Sequence, residues 1–171
     1  MVLTPALSLA LASCGGVAAL FQDLSLPLPS LSPQKSGSVV LIWGGSSSVG
    51  CSAIQLARAA GVEVITTASK HNFELCKSLG ADHVFDRNSE SVTDDVVRAL
   101  QGKTFLGALN AIGVRGTVEA CIDIVSKSEG KQILVTTLPI FWPLDRKAVE
   151  VKNGELSFFF HMWYRRSGTK P

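Results

Sequence analysis

The sequence predicts an α/β fold: a doubly wound parallel sheet with helices on both faces. Three observations carry this. Apolar runs too short for helices alternate with amphipathic stretches along residues 38–137. Glycines stop several of the helical stretches, as at Gly61 and Gly80. The first apolar run, Ser38–Trp43, ends in a Gly/Ser-rich turn that leads straight into a helical pattern. Strands alternating with helices at this interval mean βαβ units. Ligands of such sheets bind beyond the carboxyl ends of the strands, where strand order switches.

Val39, Val40, Leu41 and Ile42 make the first strand. Residues 51–60 follow with Ile54, Leu56, Ala57 and Ala60 at helical spacing. Residues 62–67 are a second β-branched run. Residues 70–79 read as a helix, with Ser69 as N-cap and Gly80 as its stop. Residues 83–85 form a brief third strand. Residues 91–100 are amphipathic, with Val92, Val96, Val97 and Leu100 on one face. Residues 105–112, 117–126 and 132–137 read as strand, helix and strand.

Three regions follow. Residues 1–37 hold an N-terminal helix and a Pro/Ser-rich linker, where Pro27, Pro29 and Pro33 forbid a regular helix. Residues 38–145 are the repeating strand–helix unit, and residues 146–171 are a tail with an edge-strand pattern at 156–164. Residues 1–21 are nearly uncharged, which raises a secretory signal or a membrane span. No Lys or Arg precedes Lys35, so the basic start of a signal is missing. A span needs roughly 20 continuous apolar residues, and Thr4, Pro5, Ser8, Ser13 and Gly15-Gly16 interrupt this run. A buried helix is the better reading, with no membrane partner and a cytoplasmic location.

The 171 residues carry a net charge of +2, too little for nucleic acid to be the main partner. Cys14, Cys51, Cys76 and Cys121 form no C-x-x-C pair, so neither a metal site nor a disulfide framework is expected.

The turn carries the chemistry. Gly45-x-Ser47-x-x-Gly50 has the spacing of a dinucleotide-binding G-x-G-x-x-G, with serine at the middle position. Gly45 permits the tight turn and Gly50 lets helix and strand pack closely. Ser46, Ser47, Ser48 and Val49 then present amides and hydroxyls to a pyrophosphate at a helix N-terminus. Such turns also occur with no ligand, so their place between strand and helix is what gives the motif weight. The second strand decides the cofactor. An NAD site usually keeps Asp or Glu at its carboxyl end. Glu63 stands at the wrong end, and the carboxyl end reads Ser69-Lys70-His71-Asn72. With no carboxylate to repel a 2′-phosphate, NADPH is favoured over NADH. The bland alternative is that Ser69 only caps and Lys70 is a solvated lysine.

These residues, with Ala53-Ile54-Gln55-Leu56-Ala57, Val84-Phe85-Asp86 and Leu109-Asn110-Ala111-Ile112-Gly113, resemble the Rossmann cofactor domain of medium-chain dehydrogenase/reductases. The nearest branch in pattern is the fungal zinc-free enoyl reductase and quinone-reductase-like proteins. The resemblance spans roughly residues 4–145. It implies NADP(H) as cofactor and adds Arg87, Ile112, Gly113, Thr137 and Leu138 to the cofactor-binding set. It also implies a small-molecule substrate, a homodimer, and hydride transfer to a polarised C=C or C=O. The family's GroES-like substrate domain has no counterpart here, and Asn110 stands where the family commonly has Asp. The resemblance therefore implies a partial copy with weak or no activity alone. A nucleotide-binding module without turnover is the alternative. His71, His83, His161 and Tyr164 are scattered, and no catalytic residue is assigned.

Overall fold

A computed structural model describes residues 15–153. Six parallel strands form one sheet in the order β3-β2-β1-β4-β5-β6. They are β1 Ser38–Trp43, β2 Glu63–Ala68, β3 His83–Asp86, β4 Thr104–Asn110, β5 Ile133–Thr136 and β6 Glu150–Asn153. The helices are α1 Ser48–Ala59, α2 Phe73–Ser78, α3 Val92–Leu100 and α4 Arg115–Lys127. The chain builds outward from β1 to β3, then crosses back to β4 on the other side of β1. That reversal is the switch point of a Rossmann-type fold.

The central strand shows why the sheet needs two layers of helix. Every residue of β1 is buried. Successive side chains point to opposite faces. Val40 and Ile42 pack with Ile54 and Ala57 of α1 and Cys76 of α2. Val39, Leu41 and Trp43 pack with Val96 of α3 and with Val118, Ile122 and Val125 of α4. A run without polar alternation is what a strand covered on both faces requires.

Boundaries differ in instructive ways. α1 begins at Ser48, three residues before the apolar spacing suggests, because Ser47 caps it: its Oγ accepts the Gly50 N–H at 3.0 Å. The stretch 70–79 is not one helix. A 3-10 turn, Lys70–Asn72, precedes α2, and Ser69 makes no side-chain cap bond. The sheet also continues past residue 145, since β6 pairs in parallel with β5. The apolar run at 156–164, with His161 and Tyr164, lies outside the described residues, as do Cys14 and residues 1–14.

Residues 15–17 and the π-helical turn Ala18–Asp23 are helical. Leu20 and Leu24 are fully buried in the α1-side core. Lys131 Nζ donates to the Leu24 carbonyl at 2.9 Å. Among the described residues no helix is long and apolar enough to cross a membrane.

Candidate functional site

The turn after β1 is held by β2. Gly44 N–H donates to Thr67 Oγ1 at 3.2 Å, and Gly45 N–H to the Thr67 carbonyl at 2.9 Å. Thr66 Oγ1 donates to the Ile42 carbonyl at 2.6 Å. Both threonines are buried, so their hydroxyls need these partners. The left-handed residue of the turn is Gly44, with φ +87°, and not Gly45. Gly45 is needed for another reason: a Cβ there would overlap Thr66 Oγ1. At Gly50 a Cβ would run into the Gly44 carbonyl, so helix and turn pack backbone to backbone.

The serines divide their roles. Ser47 Oγ donates to the Gly44 carbonyl at 2.8 Å while it accepts from Gly50. Its single proton is engaged, so it closes the turn and is not the free phosphate donor its position suggests. The backbone N–H groups of Ser46, Ser48 and Val49 have no partner among the described residues. They are the donors the helix start leaves for an anion, and the α1 dipole adds to them.

A cleft of about 340 Å³ opens beside this turn. It is lined by Trp43, Gly44, Ser46, Thr67, Ala68, Arg87, Asn88, Ile112 and Thr117. Ser46, Arg87 and Ile112 are readable as site residues from sequence. Trp43, Thr67, Asn88 and Thr117 are not. Trp43 and Thr67 face each other in the β1–β2 register and end or nearly end their strands, which is the one signal that could have found them.

Ser69, Lys70, His71 and Asn72 gather past the end of β2. Asn72 Nδ2 lies 3.3 Å from Ser69 Oγ, and His71 Nε2 lies 3.4 Å from the same oxygen. One expectation fails here. A carboxylate is present: β3 pairs with β2 so that Asp86 lies opposite Ala68, and Asp86 Oδ2 stands 3.7 Å from Lys70 Nζ. No window of sequence around Lys70 contains it. Arg87, the next residue, makes no ion pair among the described residues.

On the other side of the switch point, Asn110 organises the loop. It is fully buried. Its Oδ1 accepts the N–H groups of Ile112 and Gly113 at 3.0 and 2.9 Å. Its Nδ2 donates to Thr117 Oγ1 at 3.1 Å and to Cys121 Sγ at 3.5 Å. Burial pushes the Cys121 thiol well above its ordinary pKa, so it stays protonated. Thr137 N–H donates to the Asn110 carbonyl at 3.1 Å, and Leu138 sits over Gly113. Ile112, Gly113, Thr137 and Leu138 thus form one wall past β4 and β5. A larger cleft of about 500 Å³ lies at the opposite, amino end of the sheet around Lys35, Arg58 and His83, away from the turn 44–50.

The zinc-binding dehydrogenase family model matches residues 48–151. This chain belongs to that family. The chain spans about two fifths of the length of the relatives it matches. Dehydrogenase azaJ of Aspergillus niger is 49% identical over 136 residues, covering 75% of this chain and 39% of that protein. Trans-enoyl reductase himH of Aspergillus japonicus is 46% identical over 126 residues, covering 73% and 35%. The fold matches that of the CurK enoyl reductase, with a TM-score of 0.67 at 19% identity, over 99% of this chain and 54% of that one. The family description carries zinc. Among the described residues no three His, Cys, Asp or Glu side chains come together as a metal site.

Proposed function

We propose that this chain holds NADPH across the carboxyl edge of its sheet and forms the cofactor half of an oxidoreductase of the enoyl or quinone reductase type. The observation that carries this is the turn 44–50 at the switch point, which borders a cleft and whose Ser46, Ser48 and Val49 amides have no partner among the described residues. The names of the relatives support the reaction class, since they include dehydrogenases and trans-enoyl reductases. A quinone reductase from Mesorhizobium loti shares the fold, with a TM-score of 0.64 at 17% identity over 95% of this chain and 46% of that one.

The residues divide the work by position. The amides of Ser46, Ser48 and Val49 hold the pyrophosphate. Arg87 and Lys70, beyond β3 and β2, supply positive charge to the 2′-phosphate, with Ser69, His71 and Asn72 around them. Ile112, Gly113, Thr137 and Leu138 form the wall that orients the nicotinamide and excludes water from one face. The bound nicotinamide supplies the hydride, which passes to a polarised C=C or C=O of a small molecule.

A second reading is a nucleotide-binding module without turnover. What favours it is that neither histidine of the described residues stands at the wall. His71 lies past β2, and His83 pairs with Glu63 at the amino edge, with Nε2 3.2 Å from Oε1. Titration with NADPH followed by an NADPH-oxidation assay with enones and quinones separates the two. Binding with slow oxidation, below roughly 1 per second, supports the cofactor half of a reductase, and binding with no oxidation above the substrate-free rate supports the module.

A further inference from the structure

We propose that Asp86 is a specificity-determining residue of this site, weakening the hold on a 2′-phosphate and so narrowing the preference for NADPH over NADH. The inference rests on the NADPH reading above. Three observations carry it.

First, the β2–β3 register sets Asp86 opposite Ala68, at the carboxyl end of the strand where cofactor ribose selection takes place in this fold. Second, the carboxylate is fixed while its partner is not. Asp86 Oδ1 accepts the Asn88 N–H at 3.0 Å, and its side chain is 18% exposed. Lys70, reached by Oδ2, is 82% exposed. A 2′-phosphate arriving here meets a lysine already shared with a fixed acid. Third, Arg87 follows directly and lines the cleft, and no carboxylate among the described residues pairs with it. Among the described residues, then, Lys70 is held by an acid and Arg87 is not.

The chemistry runs opposite ways for the two cofactors. A phosphate dianion competes with Asp86 for Lys70 and is repelled by it. A ribose 2′-hydroxyl is neutral, carries a proton, and can donate it to a carboxylate. Asp86 thus penalises NADPH without penalising NADH.

The test is Asp86→Asn, which removes the charge and keeps an oxygen for the Asn88 N–H. Asp86→Ser is the second variant and keeps a hydroxyl acceptor there. Both cofactors are titrated against the full chain by tryptophan quenching, at low and high salt. The expected result is NADPH binding tighter by about 2–5-fold at low salt, the range of a partly exposed charge. The gain shrinks at high salt, and NADH does not tighten. NADPH binding with an unchanged NADPH-to-NADH ratio in both variants overturns the proposal and leaves the NADPH reading standing. A wild-type chain that binds neither cofactor contradicts both.

Discussion

At the scale of single residues, the site rests on contacts of a few atoms. Gly45→Val puts a branched side chain where Thr66 Oγ1 already sits. The variant is expected to lose binding of both cofactors, read by quenching of tryptophan fluorescence. Wild-type affinity would mean that the phosphate binds elsewhere. The two cations are not equivalent. Lys70 is largely exposed and shares Asp86, so Lys70→Ala should weaken NADPH only about 2–5-fold. Arg87 is unpaired among the described residues and borders the cleft. Arg87→Ala should cost about tenfold or more, as loss of a charge-assisted contact does, and should leave NADH nearly unchanged. Equal losses for both cofactors would remove the 2′-phosphate from this position. The turn between β1 and α1 was legible because its spacing is local: Gly45, Ser47 and Gly50 lie within six residues. Asp86 was not, since a parallel register brings it to Ala68 across an intervening helix.

At the scale of elements, the strands were easier to read than the helix ends. β1 declares itself by an unbroken apolar run. The start of α1 was hidden because Ser48, Val49 and Gly50 look like turn residues, and only the Ser47 cap makes them helical. The position of β6 within the tail was not legible because Glu150 and Lys152 break the apolar pattern, as charges on an edge strand often do. Two loops depend on one side chain each. Asn110→Ala leaves the Ile112 and Gly113 amides without their acceptor, at a cost of about 1–3 kcal/mol. Chemical denaturation should show that loss, with NADPH binding weakened as well. A neutral variant would show that the loop is held otherwise. Asp123 on α4 receives Lys127 and Lys147, each at 2.7 Å, and Lys147 belongs to the segment before β6. The bond from Lys127, then that from Lys147, holds the Asp123 carboxyl below its ordinary 3.8. A lowered native pKa gives stability that is present above about pH 4 and is lost as the carboxyl protonates. The stability difference between wild type and Asp123→Asn should therefore shrink from about pH 5 to pH 3. A difference that holds constant across that range would show that the pairs contribute nothing.

At the scale of the molecule, the sheet order and the family agree, and residues 18–26 pack into the same core as the sheet. Leu20 and Leu24 are buried as deeply as any residue of β1. The apolar side chains Val114, Leu138 and Phe141, in the loops after β4 and β5, are exposed. Such exposure favours association. The chain by itself is expected to bind cofactor, to turn over slowly or not at all, and to run larger than a monomer in light scattering. A monomer oxidising NADPH faster than roughly 1 per second would contradict that. If the turn 44–50 seats NADPH, Trp43 at the cleft makes the binding directly measurable. Titrating the purified chain with NADPH should quench tryptophan emission saturably, with NADH binding more weakly and the Gly45→Val variant silent. Absence of quenching by either cofactor, or equal affinity for the two, would contradict the account.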